Sequence, residues 1–155
     1  MANGITYGIN FPFKDSLTGT YLDLSTEPNQ EIKSNLIHLL LTRKGSRYFL
    51  PDFGTRLYEY IFEPLDGPTF NDIESEIRDS VEKYIPNLQI TNIIVDSLEN
   101  LGETDSADLN TDPNLDSRIY RIPGLGTKEY TAKVRVEYTV TSDVFNSKDF
   151  VIINI

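Results

Sequence analysis

Acidic side chains are abundant in this chain and could do chemistry, with 24 Asp and Glu among 155 residues. Glycoside hydrolysis needs one carboxylic acid of raised pKa and a second carboxylate facing it. Glu63, in Ile-Phe-Glu-Pro-Leu, and Glu74, at the border of an apolar stripe, are the two with a distinctive setting. Glu74 has a plainer role available, an (i, i+4) ion pair with Arg78. With so many acids some pair at a suitable separation arises by chance, so none is assigned as catalytic.

The single histidine, His38, would need a nucleophile or acid beside it to act as a general base. Its neighbours at helical spacing are Glu31, Ser34 and Asn35, which predicts a solvated surface imidazole rather than a catalytic one. Asp105, Asp108 and Asp112 suggest calcium, but their spacing lacks the alternate-position ligands and central Gly of a calcium loop. Arg43, Lys44, Arg47 and Arg56 are close enough in sequence to hold an anion. Yet Lys-Gly-Ser-Arg has no Gly-rich run before its Lys, and it follows a helix rather than a strand. The plainer reading is an architectural corner in which Arg47 and Arg56 bond carbonyls and carboxylates at helix ends. No metal and no cofactor is expected.

Composition narrows the classes further. A net charge of −10 argues against general binding to nucleic acid. The absence of cysteine excludes disulfides and thiolate metal sites, and one histidine excludes most zinc sites. No apolar run is long enough for a membrane span, and Met-Ala-Asn-Gly-Ile-Thr-Tyr-Gly lacks the pattern of a signal peptide. These features point to a soluble cytosolic single domain over residues 1–155 with protein partners.

The elements that must position these residues follow from periodicity. Residues 1–25 alternate aromatics with Gly, Pro and Asp and predict an extended arm with short strand pieces and a turn near Ser-Leu-Thr-Gly. A helix then starts, with Ser25 or Thr26 as cap and Pro28 in the first turn. Ile32, Leu36, Leu39, Leu40 and Arg43 share one of its faces, Ile37 and Leu41 widen it, and Gly45 is suited to end it. Thr-Arg-Leu-Tyr-Glu-Tyr-Ile-Phe predicts a short helix. A second long helix opens near Pro68, buries Phe70, Ile73, Ile77, Val81 and Tyr84, and stops at Pro86.

Beyond Pro86 the pattern is that of strands. Leu-Gln-Ile-Thr-Asn-Ile-Ile-Val-Asp-Ser-Leu predicts a strand covered on both faces. Residues 130–140 alternate, with Tyr130, Ala132, Val134, Val136, Tyr138 and Val140 facing inward. Asp-Phe-Val-Ile-Ile-Asn-Ile closes the chain as a further strand, and residues 99–127 predict a long exposed loop. The fold class is α+β, with an N-terminal arm, two main helices with a short one between them, and an antiparallel sheet of about three to four strands. Because the last strand is apolar on both faces, the simplest account is that a neighbouring chain adds a strand to its edge; an internal place in this chain's own sheet would also satisfy the pattern.

Phe-Pro-Phe, Leu-Leu-Leu-Thr-Arg-Lys-Gly-Ser-Arg, Pro-Asp-Phe-Gly-Thr-Arg-Leu and Ile-Phe-Glu-Pro-Leu-Asp follow one another here, ahead of a second helix that ends in proline. In this order and spacing the stretch from Gly4 to Val95 resembles the small baseplate wedge proteins of contractile phage tails. That family has relatives in type VI secretion systems, and many members carry the label tail lysozyme. Thr-Arg-Lys-Gly-Ser-Arg and Pro-Asp-Phe-Gly are specific together and weak apart.

The resemblance implies a structural, non-enzymatic component of a virion tail baseplate, assembled in the host cytoplasm. Its implied partners are other wedge proteins, tail sheath subunits joined by strand sharing, and the tail tube. Gly45, Arg47, Pro51, Phe53 and Gly54 are then a structural corner, while Pro86, Phe150, Ile152, Ile153 and Ile155 are candidates for partner contacts. The family usually ends the second helix with Glu-Pro-Arg, where this chain has Ile85-Pro86-Asn87, so both charges are missing. The alternative is a peptidoglycan-cleaving tail lysozyme with Glu63 or Glu74 as the acid.

Overall fold

In the computed structural model, the described residues are 5–17, 19–64, 67–97, 119–121, 132–141 and 147–155. The strict alternation in Ala132–Val140 produces a strand whose odd and even positions differ in burial along its whole length. It is the second strand of a four-stranded sheet. In chain order the elements are β1 (Gly8–Ile9), β2 (Leu24–Ser25), α1 (Pro28–Leu41), a 3-10 helix (Leu57–Phe62), α2 (Gly67–Tyr84), β3 (Leu88–Ser97), β4 (Ile119–Arg121), β5 (Ala132–Val140) and β6 (Lys148–Asn154). The sheet order is β3-β5-β6-β4, and β1 and β2 pair separately. This is the expected α+β class, with one strand, β4, running parallel to its neighbour β6.

Both helices lie against the inner face of the sheet. Leu36, Ile37, Leu39 and Leu40 of α1 and Ile73, Ile77 and Val81 of α2 share one apolar cluster with Val134, Val136 and Tyr138 of β5 and Val151 and Ile153 of β6. Each fully buried aliphatic side chain contributes about 1.5–3 kcal/mol relative to exposure, which is why these stripes dictate the layering.

Several expectations are corrected. Neither Ser25 nor Thr26 caps α1: the N-cap is Glu27, without a side-chain cap bond. Ser25 is tied into β2, and its hydroxyl donates to the Glu27 carbonyl at 2.8 Å. At its other end α1 stops at Leu41 rather than Gly45. The Thr42 N–H donates to the His38 carbonyl and Thr42 turns extended, at φ −79° and ψ 127°. Arg43 therefore leaves the helix face and forms a parallel bridge with Thr55.

The remaining corrections concern the sheet. β3 is not covered on both faces: it is an edge strand with Ile93 buried and Ile94 exposed. Its uniform apolarity hid an alternation that only sheet position reveals. Residues 119–121 of the expected loop form β4 instead, and the rest of residues 99–127 lies outside the described residues. β6 is internal rather than a free edge, with β5 on one side and β4 on the other.

Candidate functional site

Between α1 and α2 the chain makes two reversals within fifteen residues, and backbone hydrogen bonds close both. The Lys44 N–H donates to the Thr55 carbonyl at 3.0 Å, and the Thr55 N–H returns to the Thr42 carbonyl at 2.9 Å. The Gly45 N–H reaches the Pro51 carbonyl at 2.7 Å and the Phe53 N–H reaches that of Leu50 at 3.1 Å. Thr55, almost fully buried, donates its hydroxyl to the Leu40 carbonyl at 2.9 Å, which serves one of the unpaired acceptors at the end of α1. Gly45 and Gly54 occupy φ +87° and φ +111°, a region that side chains with a β-carbon rarely adopt.

Around this frame lies an aromatic cluster that the sequence reading missed. His38 is half-buried rather than solvated. Its ring stacks on Phe11 at 6.5 Å and 19° and meets Phe53 at 5.9 Å between centroids. Phe13 of the N-terminal arm approaches edge-on at 6.2 Å. Phe53 in turn packs edge-to-face on Tyr84 at 5.1 Å. Among the described residues, the contacts of Arg47 are to rings rather than to the expected carbonyls or carboxylates. Its guanidinium lies 4.0 Å above the Phe53 ring, with Nη2 3.3 Å from His38 Nε2. Burial first, and the positive Arg47 second, push the His38 pKa below its ordinary value. The Phe-Pro-Phe and Asp-Phe-Gly aromatics, thirty or more positions apart, were the available signal, but only the fold brings them to one imidazole.

Charge on the other side of the corner converges on Glu76. Its carboxylate accepts from the Arg56 N–H at 3.2 Å and has Lys44 Nζ at 3.8 Å. Nearby Tyr60 has its pKa raised by burial, with Asp72, Glu76 and Glu63 adding to the effect against Arg56. Arg43 is used differently, its guanidinium 4.0 Å over the Tyr58 ring.

The candidate catalytic acids are not assembled into a site. Glu63 is exposed, and Glu74 is engaged by Arg78 at 2.7 Å as the spacing predicts. No group of three or more His, Cys, Asp or Glu among the described residues is placed to hold a metal ion. Asp105, Asp108 and Asp112 lie outside the described residues. No helix among the described residues is long and apolar enough to cross a membrane.

Of the candidate partner-contact residues, Ile152, Ile153 and Ile155 are buried within this chain. Ile155 exchanges both backbone hydrogen bonds with Ala132, and Ile153 and Ile155 belong to the chain's own core cluster. Phe150 is half-buried beneath Arg135, whose guanidinium is 4.4 Å from its ring. Pro86 is exposed between two grooves of about 430 and 510 Å³. The first is floored by Phe53 and Tyr84 and edged by His38 and Arg47, so it is continuous with the corner.

Backbone closure, ring contacts and ion pairs thus build this corner, and the chain has recognisable relatives. The sequence model of a family described as baseplate wedge protein gp25 matches residues 26–116, more than half of the chain. The baseplate wedge protein gp25 of Enterobacteria phage T4 is 37% identical over 59 residues, covering 38% of this chain and 45% of the phage protein. This chain therefore spans less than half the length of that relative.

Two solved structures share the fold. A Geobacter sulfurreducens protein assigned as a tail lysozyme superposes with a TM-score of 0.55 at 16% identity, over 83% of this chain and 90% of that one. A chain of the 6-fold symmetrised anti-feeding prophage baseplate does so with a TM-score of 0.53 at 20% identity, over 61% of this chain and 74% of that one.

Proposed function

Because the chain belongs to the baseplate wedge protein gp25 family, we propose that it is a structural part of a contractile-tail baseplate and not an enzyme. The observation that carries this reading is the span of the family match, residues 26–116, which contains both helices and the whole corner between them. The corner supports it physically. Backbone closure, ring contacts and the Glu76 hub hold it together, as a contact surface requires. In the host cytoplasm the chain would join other wedge proteins beside the tail tube, and sheath subunits would add to it.

Strand sharing with the sheath is the finer part of the proposal, and the topology moves it from β6 to β3. β6 has β4 and β5 as neighbours, whereas among the described residues the ten-residue β3 is an edge strand with β5 on one side. Its residues contain no proline or lysine, two devices that usually blunt an edge, although a bulge lies between Ile90 and Asn92. A strand added there would gain main-chain hydrogen bonds and cover Ile94.

Locating the tagged full-length chain in purified particles tests this reading. Recovery with the baseplate after sheath and tube are stripped away is the expected result. Zymography on peptidoglycan, with Glu63→Gln and Glu74→Gln as controls, tests the lysozyme alternative. Hydrolysis lost in a folded variant would replace the structural reading by an enzymatic one.

A further inference from the structure

Tyr48 and Phe49 form an edge-to-face pair at 6.2 Å, and they are 97% and 98% exposed. Leu50 beside them is 44% exposed. Two large aromatic rings held almost wholly in water lose the burial that would normally stabilise them, so their presence at one loop tip calls for an account. We propose that Tyr48 and Phe49 are a preformed anchor that inserts into an apolar pocket with an acidic rim on a neighbouring baseplate protein.

Three observations carry this. The loop is closed within this chain itself, by the Gly45 N–H to Pro51 carbonyl bond at 2.7 Å and the Phe53 N–H to Leu50 carbonyl bond. Ordering entropy, which usually weakens loop-mediated binding, is therefore reduced here. Aromatic side chains of this kind, with two torsions and a large contact area, are the typical centres of protein interfaces.

Charge supplies the third argument. Arg43, Lys44 and Arg47 immediately precede the loop tip in a chain whose net charge is −10. Glu76 is shared between Lys44 and Arg56, Asp52 faces Lys83 at 3.9 Å, and the Arg43 and Arg47 guanidinium groups lie over the Tyr58 and Phe53 rings. Cations beside an apolar tip are complementary to acidic groups beside an apolar pocket. The overall negative charge works against an anionic membrane or a nucleic acid as the occupant.

The proposal rests on the baseplate reading and identifies which surface makes the contact. It is tested in whole particles by two arms. A photo-crosslinking residue in place of Phe49 should join this chain to a different baseplate protein, at a segment combining apolar and acidic residues. A Tyr48→Ser, Phe49→Ser variant should keep the wild-type melting temperature, since both rings are exposed. It should enter particles at about a tenth of the wild-type level or less, the scale of one hot-spot loss.

Crosslinks confined to this chain, to a second copy of it, or to lipid or nucleic acid would overturn the anchor. So would normal incorporation of the double variant. In that last case the wild-type chain is still found in baseplates, and the baseplate reading stands without the anchor. If the wild-type chain is absent from baseplates, the functional reading itself fails, and the anchor with it.

Discussion

Gly54 packs so closely on Thr42 that a β-carbon there would lie 2.9 Å from the Thr42 carbonyl carbon and run into its oxygen. This contact joins the end of α1 to the second reversal of the corner, and its backbone is held by the Thr55 N–H bond to the same carbonyl. Gly54→Ala therefore meets two penalties, a clash with main chain and φ +111°. We expect a loss on the order of 3 kcal/mol in urea unfolding. Gly45→Ala meets open space at φ +87° and should cost only about 1 kcal/mol. Equal losses at the two sites would remove the close approach as the cause.

Acid should weaken the His38 cluster. The unfolded imidazole titrates at the ordinary 6.5, whereas the folded one, held neutral by burial and by Arg47, takes its proton only at lower pH. Below 6.5 the unfolded state binds more protons, so stability falls with pH until the folded imidazole is protonated as well. Urea midpoints at about pH 7.5 and 5.5 should differ more for the wild type than for His38→Gln, and His38 is the chain's one histidine. Identical shifts would mean that the imidazole titrates alike in both states.

Ile153 is fully buried in the strand between β5 and β4, facing Val134 across the pair. Ile153→Ala should destabilise the isolated chain by about 3 kcal/mol. Deleting residues 150–155 should unfold the sheet rather than merely block assembly, because it removes Val151, Ile153 and Ile155 from the core together. A truncated chain with native circular dichroism and an unchanged midpoint would show that β6 is dispensable.

Glu74 and Arg78 are each about two-fifths exposed, at 40% and 41%. An (i, i+4) pair in that setting contributes little, so Glu74→Gln should shift stability by less than about 0.5 kcal/mol. If peptidoglycan is unaffected by both wild type and variant, Glu74 is a helix-surface residue and nothing more.

Much of this architecture was legible from residue order. Helical spacing identified the buried stripes Leu36–Leu40 and Ile73–Val81, and the period-two alternation of Ala132–Val140 identified the strand against which both are packed. Such patterns are local: an amphipathic element records in its own residues which side faces the core. The two Gly positions of the corner were legible for a similar reason, since a tight reversal leaves few residue types able to adopt it.

Sheet order was not legible, because hydrogen-bonding partners are chosen among strands far apart in the chain. Leu88–Ser97 and Lys148–Asn154 are both rich in Ile and Val, yet one is an edge and the other is flanked on both sides. The same limit hid the surroundings of His38. By helical spacing it belongs to the polar side of α1, and only the folding-over of the arm with Phe11 and the corner with Arg47 and Phe53 buries it. Residue order determined which faces needed covering; tertiary structure decided what covers them, because burial is a property of contacts between distant segments.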